Sequence, residues 1–289
     1  MGLLLAALSS LFFVALDVLR KVLGKRLSAV DVVIGINLGA AVVFGAILSF
    51  SGFGPFDSTF LLLATVESLA FTIASLLYVR AVTLSPLSLT IPYLGFTPVV
   101  SVVVAFIVLG EAPTLTGLIG IFLVVTGAVA LHLGATDGLR GLITGPFREP
   151  GSWMMLLVAL IWGTTTSLDK IAIRHGSEEL LGFFLTAASS VILVATRIFL
   201  KNGPELSKIW SDRASLGLLL LASMVAAAAV LCQFFAYREL FVAYVETIKR
   251  AGGLGSVLIG VLIFKEGGLA YRLPAAVLML IGIALLMLG

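Results

Sequence analysis

The sequence contains little charge. Only 11% of its 289 residues are Asp, Glu, Lys or Arg, whereas 60% are hydrophobic, and the mean hydropathy is +1.20. Soluble domains have roughly 25% charged residues. The deficit excludes an ordinary soluble domain and predicts an integral membrane protein.

The chain also lacks the residue patterns that most enzymes need. Its single cysteine, Cys232, lies in an apolar run and can form neither an internal disulfide nor a thiolate metal site. The sequence has no Gly-rich phosphate loop ending in Lys-Ser/Thr, no His-Glu-x-x-His helix and no Ser/His/Asp set. We therefore predict neither an enzyme nor a bound cofactor or metal, and we expect no nucleic-acid partner.

Ten apolar segments are long enough to cross a bilayer, which takes about 20 residues. The first segment lacks the basic start and the cleavage site of a signal peptide, so we expect it to be retained. The fold class predicted is an all-α membrane protein of ten transmembrane helices. The predicted spans are 2–19, 29–50, 58–80, 85–109, 113–133, 152–172, 178–200, 214–237, 241–264 and 268–288.

The two halves of the chain repeat. The stretches "ALSSLFFVALD", which ends at Asp17, and "ALIWGTTTSLD", which ends at Asp169, begin and end alike at the same spacing. Aligning Glu111 with Glu266 also superimposes Gly127 on Gly282. We assign a first repeat to 1–133, a linker rich in Gly and Pro to 134–151, and a second repeat to 152–289.

Because each repeat has an odd number of spans, the two copies must cross the membrane in opposite directions. Inverted repeats build many secondary transporters, whose substrate site lies between the repeats near the bilayer midplane. Loops after the odd-numbered spans hold thirteen of the eighteen Lys and Arg residues, and the opposite loops hold three. The positive-inside rule then predicts a multi-pass protein of the plasma (inner) membrane with both termini on the non-cytoplasmic side.

Three stretches resemble a known family. They are "LYVRAVTLSPLSLTIPYLGFTPVVSVVVAFIVLGE", "ALIWGTTTSLDKIAI" and "YVETIKRAGGLGSVLIGVLIFKE". In their order, they resemble the ten-helix, EamA-type members of the drug/metabolite transporter superfamily. The resemblance implies a bundle in which the first four helices of each half surround a central cavity. Helices 5 and 10 would then lie at the periphery, where they are often associated with a homodimer. Many members are thought to have cytoplasmic termini, and the charge count departs from that pattern.

The ninth span contains charges at membrane depth. Lys249 and Arg250 start about eight residues into the span, roughly 12 Å along the helix. A charge at mid-helix costs about 2.5–3.5 kcal/mol and usually faces the bundle interior or a wet cavity. The pair is similar to the basic dyad with which triose-phosphate translocators, distant relatives, hold a substrate phosphate. Lys170 is the one candidate for the other basic residues of that site.

Two interpretations of these charges stay open. Glu246 precedes the pair by three and four residues, the spacing at which helix side chains meet, so it can neutralise them in a purely structural trio. In the functional interpretation, which we favour, the surplus positive charge attracts an anionic group. Arg250 would then bind phosphate or carboxylate with its planar guanidinium group.

Acidic residues are candidates for proton coupling or gating. Glu67 is near the middle of the third span, where it either carries a proton or pairs with a cation of the ninth span. Asp17 and Asp169 are repeat-related and lie near helix ends. For both, an ion pair or a gate is favoured over direct substrate contact.

Two functions fit these patterns. The first is a secondary transporter that moves small organic metabolites by alternating access, with a phosphate- or carboxylate-bearing solute, driven by exchange or by protons. The second is a flippase for a phosphate-bearing lipid, which needs a lateral opening toward the bilayer. Tyr93, which follows Pro92 at a freed backbone carbonyl, is a further cavity candidate. The candidate substrate-binding residues are Lys249, Arg250, Glu246, Tyr93 and Tyr244, and the candidate proton-coupling or gating residues are Glu67, Asp17, Asp169 and Lys170.

Overall fold

The regular structure is helical throughout the part of the chain that the structure describes. The computed structural model describes residues 1–86, 90–133, 149–199, 213–250, 252 and 269–288, and these ranges contain no strand. Within them, six helices are long and apolar enough to cross a membrane. Each of the ten predicted spans contains helical residues. The α-helices are α1 (Gly2–Gly24), α2 (Ala29–Ser51), α3 (Ser58–Leu84), α4 (Thr97–Leu109), α5 (Leu115–Leu133), α6 (Pro150–Arg174), α7 (Glu178–Phe199), α8 (Arg213–Glu239), α9 (242–250) and α10 (Leu269–Leu288).

The fourth predicted span is not one continuous α-helix. Its described part starts with a 3-10 helix, Ile91–Phe96, and α4 begins only at Thr97. Pro92 and Pro98 each lie in the first turn of one of these elements. Proline has no N–H to donate, so it is tolerated in a first turn but interrupts a helix interior. The prediction of one helix over 85–109 was therefore wrong.

Most other differences are at helix ends. α1 and α3 continue to Gly24 and Leu84, beyond their predicted ends at 19 and 80. Arg20, which the sequence assigned to a loop, therefore lies inside α1. Of the predicted linker, 134–148 lies outside the described residues, and Pro150 already begins α6. The remainder of the predicted ninth span also lies outside the described residues, apart from 252.

The two halves interleave. α1 packs against α8, α2 against α7 and α8, and α3 against α6 and α7. Small residues bring α2 and α8 close together, because Gly35 lies against Leu219 and Gly39 against Ser223. The Ser223 hydroxyl also lies 3.4 Å from the Gly35 carbonyl oxygen, to which it can donate. The Gly35–Gly39 spacing is typical of such close helix packing.

α5 and α10 cross at a pair of glycines. A Cβ atom on Gly120 would lie 2.6 Å from the Gly282 carbonyl oxygen, and a Cβ atom on Gly282 would lie 2.6 Å from that of Gly120. The side chain of Leu286 contacts Gly120, and that of Val124 contacts Gly282. Because no real Cβ atom fits at these distances, the crossing requires glycine on both helices.

Asp57 caps the first turn of α3. Its Oδ1 accepts the Phe60 N–H at 3.0 Å, and its Oδ2 lies 2.7 Å from His175 Nδ1, just beyond α6. The Phe60 N–H, and after it His175, lower the pKa of Asp57 from its ordinary value of 3.8. One exposed carboxylate thus joins the start of α3 to the end of α6.

Asp57→Ala is expected to lower the melting temperature of the detergent-solubilised protein more than Asp57→Asn, because asparagine can still accept the Phe60 N–H. A carboxyl whose pKa is lowered by folding stabilises the folded state above its ordinary pKa, and this stabilisation is lost as the pH falls. The gap between wild type and Asp57→Asn should therefore narrow below pH 3.8. Intrinsic-fluorescence melts over a pH series measure this gap, and a pH-independent gap would contradict the assignment.

Candidate functional site

A central cavity of about 120 Å³ lies between the two halves. α1, α2, α3 and the 3-10 helix line it from the first half, and α6, α7, α8 and α9 line it from the second, together with Met279 of α10. Its wall contains aliphatic and aromatic side chains interrupted by polar groups. The charged and amide side chains in the wall are Asp17, Arg20, Asn37, Glu67, Asp169, Gln233, Lys249 and Arg250.

Glu246, Lys249 and Arg250 meet on α9, as their spacing indicated. Lys249 Nζ lies 2.6 Å from Glu246 Oε1, and an Arg250 terminal nitrogen lies 3.0 Å from Glu246 Oε2. Glu246 is completely buried, and the two cations are at least nine-tenths buried. Their i,i+3 and i,i+4 spacing places all three side chains on one helix face. Lys249 and Arg250 line the cavity, so these two charges are directed into the bundle and away from lipid. Glu246, predicted to bind substrate, lies outside the cavity wall and contacts the two cations instead.

Lys249 is held on several sides. Besides Glu246, its ammonium donates to Gln233 Oε1 at 2.6 Å and lies 4.7 Å from the centre of the Phe13 ring. Gln233 Nε2 in turn donates to the Tyr237 hydroxyl, and that hydroxyl donates to Glu246 Oε1 at 2.9 Å. The ammonium is therefore part of a closed hydrogen-bond network between α8 and α9.

Arg250 has one donor without a partner among the described residues. Its Nε is buried and has no hydrogen-bond partner within the described residues. The guanidinium carbon lies 6.0 Å from the centre of the Trp162 ring. A guanidinium group with a free N–H beside an aromatic face is suited to bind a planar anionic group such as carboxylate or phosphate.

Asp17 belongs to a second polar group in the cavity. The Tyr78 hydroxyl donates to its Oδ1 at 2.5 Å, and a terminal nitrogen of Arg20 lies 3.9 Å from the same oxygen. Arg20 lies 4.7 Å from the centre of the Tyr78 ring, and Trp162 stacks on that ring at 5.4 Å. Two buried Arg20 nitrogens, Nε and Nη1, lack a hydrogen-bond partner in the described part of the chain.

The candidate acids Glu67 and Asp169 meet in the cavity. Glu67 is 1% exposed, and within the described ranges no hydrogen-bond donor reaches either of its oxygens. Asp169 lies close enough to Glu67 to share a hydrogen bond and also interacts electrostatically with Lys249. The alternative that Glu67 forms an ion pair with Lys249 or Arg250 is therefore wrong.

Tyr93 and Tyr244 lie outside the cavity wall, contrary to prediction. Tyr93 is buried in an apolar cluster with Tyr78 and Met155. Tyr244 faces α5, where its hydroxyl lies 3.4 Å from Thr114 Oγ1. Tyr244 and Glu246 are two positions apart, and on an α-helix this spacing turns the two side chains to opposite faces.

Lys170 also lies outside the cavity wall, in a buried contact between the halves. Its ammonium lies 2.5 Å from Glu111 Oε1 and donates to the Leu240 carbonyl at 2.8 Å. The other Glu111 oxygen accepts the Val242 N–H at 2.8 Å, in the first turn of α9. We name Glu111, Lys170, Leu240 and Val242 the inter-half lock. A role for Lys170 as part of a phosphate site does not fit this geometry.

Sequence reasoning missed Arg20, Tyr78 and Trp162 as cavity residues. Arg20 was counted as a loop cation because apolarity ends at 19, although its i,i+3 spacing to Asp17 was a usable signal. Trp162 lies at the middle of its span, where an interface anchor is not expected. No local signal marks Tyr78.

The arrangement is suited to binding a small molecule. Within the described residues, no group of three His, Cys, Asp or Glu side chains is placed to hold a metal ion. Arg20 and Arg250 have N–H groups without a partner in the described part of the chain, and the rings of Tyr78 and Trp162 stack beside them. Together they offer a charged, aromatic surface for a small molecule.

Comparison with known proteins identifies the family. The family model described as the EamA-like transporter family matches residues 1–133 and 149–288. Among 29 matching solved chains is a crystal structure that is 16% identical and has a TM-score of 0.76. Its match covers 99% of this chain and 96% of the other, and at that identity it shows the fold alone. Curated proteins gave no match. The family match extends over both halves, and the chain belongs to the EamA-like transporter family of the drug/metabolite transporter superfamily, with its ten-helix membrane fold of two repeats.

Proposed function

We propose that this membrane transporter is a secondary transporter that moves small organic metabolites bearing a carboxylate or phosphate group by alternating access. The observation that carries the proposal is the pair of guanidinium groups, Arg20 and Arg250, which line one cavity with N–H groups that lack a hydrogen-bond partner in the described ranges. An anion between them would replace the hydrogen bonds that burial denies these donors.

The charge balance around Arg250 supports this proposal. Glu246 supplies one negative charge to Lys249 and Arg250, and Lys249 already has Glu246 and Gln233 as partners. Arg250 is therefore the better candidate of the two for direct contact with the solute, and Lys249 holds Glu246 in place. Arg20 is the second candidate for direct contact with the solute, because its terminal nitrogen lies 3.9 Å from Asp17 Oδ1, which is longer than a hydrogen bond.

Inverted repeats and interleaved halves give such a site two access routes. Residues of both halves form the cavity wall, so rocking one half against the other would expose the same side chains first to one side of the membrane and then to the other. The excess of basic residues after odd-numbered spans supports a plasma-membrane protein with both termini on the non-cytoplasmic side.

Transport of soluble anions by the purified protein tests the proposal. A thermal-shift screen against phosphorylated metabolites, dicarboxylates and amino acids selects solutes, because a ligand that binds the folded state raises its melting temperature. Proteoliposomes loaded with a selected solute should then accumulate the labelled solute by counterflow. Flipping of a fluorescent phospholipid, with no counterflow of any soluble anion, would contradict the proposal and support the lipid flippase.

A further inference from the structure

Two carboxyl groups from opposite halves meet in the cavity. Glu67 belongs to α3 in the first half, and Asp169 belongs to α6 in the second. Both carboxyl groups line the same cavity, where Asp169 is close enough to Glu67 for a hydrogen bond if one of the two is protonated. Within the described ranges no donor reaches either Glu67 oxygen. An ionised carboxylate can only accept hydrogen bonds, whereas a protonated carboxyl also donates one. The two groups can therefore bond to each other only when a proton lies between them.

The neighbouring charges do not replace that proton. On α9, Lys249 acts on Asp169 but is already bound by Glu246, which also holds Arg250. At the ends of α2 and α7, Asp31 pairs with Arg197, and Glu178 pairs with Arg238. The elements packed around the two carboxyls carry further titratable groups. They are Asp17, Arg20 and Lys21 on α1, Asp57, Tyr78 and Arg80 on α3 or its cap, Tyr93 on the 3-10 helix, Glu149, Lys170, Arg174 and His175 on α6 or its caps, Glu179 on α7, and Arg213, Cys232, Tyr237 and Glu239 on α8.

We propose that Glu67 and Asp169 form a proton-sharing carboxyl pair that binds the coupling ion of the transport cycle. The proposal rests on the proposed function, because it supplies the proton to a cavity that binds an anion. With one proton the pair links α3 to α6 across the two halves. Without it, two buried carboxylates repel each other in a medium of low dielectric constant. Gain or loss of the proton therefore changes how firmly the halves are held together at the cavity.

Lys249 connects the carboxyl pair to the anion. It is the cation that acts on Asp169, and it shares Glu246 with Arg250. An anion bound at Arg250 adds negative charge beside this cluster and thereby favours the protonated pair. By thermodynamic reciprocity, a proton on the pair favours binding of the anion by the same factor. Anion and proton are thus expected to move together, which makes the cycle a symport.

Infrared spectroscopy tests the carboxyl pair without any transported solute. The purified full-length protein in lipid should show the C=O band of a protonated carboxyl at neutral pH, shifted in D₂O. Glu67→Gln and Asp169→Asn should each remove this band, because an amide donates to the remaining carboxylate and replaces the proton. The matched control Glu179→Gln, at the membrane end of α7, should retain it. A spectrum without a protonated-carboxyl band, or a band that remains in both variants, overturns the proposal.

Transport assays test the coupling. For a monoanion moved with one proton, a pH gradient of one unit supports about tenfold accumulation, since one pH unit corresponds to 1.36 kcal/mol. Glu67→Gln is expected to abolish this accumulation and to retain counterflow at equal pH. Equal gradient-driven accumulation by wild type and Glu67→Gln overturns the coupling proposal. Absence of counterflow in wild type would instead contradict the proposed anion transport, and the infrared result would still stand by itself.

Discussion

Arg250→Ala and Arg20→Ala are each expected to reduce uptake of a small anionic solute by proteoliposomes about 30-fold or more. Removing one partner of a buried, charged hydrogen bond costs about 2–5 kcal/mol, and each 1.4 kcal/mol is a factor of ten. Both guanidinium groups line the cavity and have buried N–H groups without a partner in the described ranges. We therefore expect the two variants to bind the solute more weakly.

Lys25→Ala and Arg26→Ala are the matched controls for this prediction. Each removes one positive charge from an exposed residue just after α1 and should leave uptake unchanged. Elution as a single peak on size exclusion and an unchanged helical spectrum establish that the cavity variants are folded. Wild-type uptake in folded Arg250→Ala and Arg20→Ala would exclude these two residues as the anion site.

Glu111→Ala is expected to cause the largest loss of stability. It leaves Lys170 buried without its carboxylate and removes the acceptor for the Val242 N–H at the start of α9. Breaking a buried ion pair from one side costs about 3–5 kcal/mol. For a chain of this size, the melting temperature should fall by on the order of 10 °C. Circular-dichroism melts of the protein in a single detergent measure the change.

A double-mutant cycle separates the contribution of the Glu111–Lys170 ion pair from that of the hydrogen bond between Glu111 and the Val242 N–H. Glu111→Gln with Lys170→Met should be more stable than either single variant, because it leaves no buried charge unpaired. Glu239→Ala is the control. It removes an ion pair with the amino terminus at the same membrane end, but Glu239 is 46% exposed, and such pairs contribute about 0–1 kcal/mol. Additive single-variant effects would show that Glu111 and Lys170 do not stabilise each other.

The sequence predicted features that depend on local spacing. Ten spans follow from runs of apolar residues, and each contains helical residues in the structure. The Glu246 trio follows from i,i+3 and i,i+4 spacing, because helix geometry alone decides which side chains meet. The interruption in the fourth span was also visible as Pro92 and Pro98 but was interpreted as a tolerated feature of one helix.

The sequence could not predict which side chains from distant parts of the chain meet in the fold. Asp17 and Asp169 are equivalent in the repeat, but one accepts a hydrogen bond from Tyr78 and the other meets Glu67. Equivalent positions in two diverged repeats face different neighbours, so one explanation does not serve both. The inter-half lock likewise joins Glu111 and Lys170, residues far apart in the chain whose meeting depends on how the halves interleave.

The glycine crossing of α5 and α10 has a mechanical consequence. No described residue of α5 belongs to the cavity wall, and Met279 is the described residue that α10 contributes to it, so the crossing itself lies outside the wall. Where two backbones touch without intervening side chains, one helix can roll over the other with little displacement. Gly120 and Gly282 would then serve as the pivot of this motion, and a side chain at either position would force the two helices apart at the pivot.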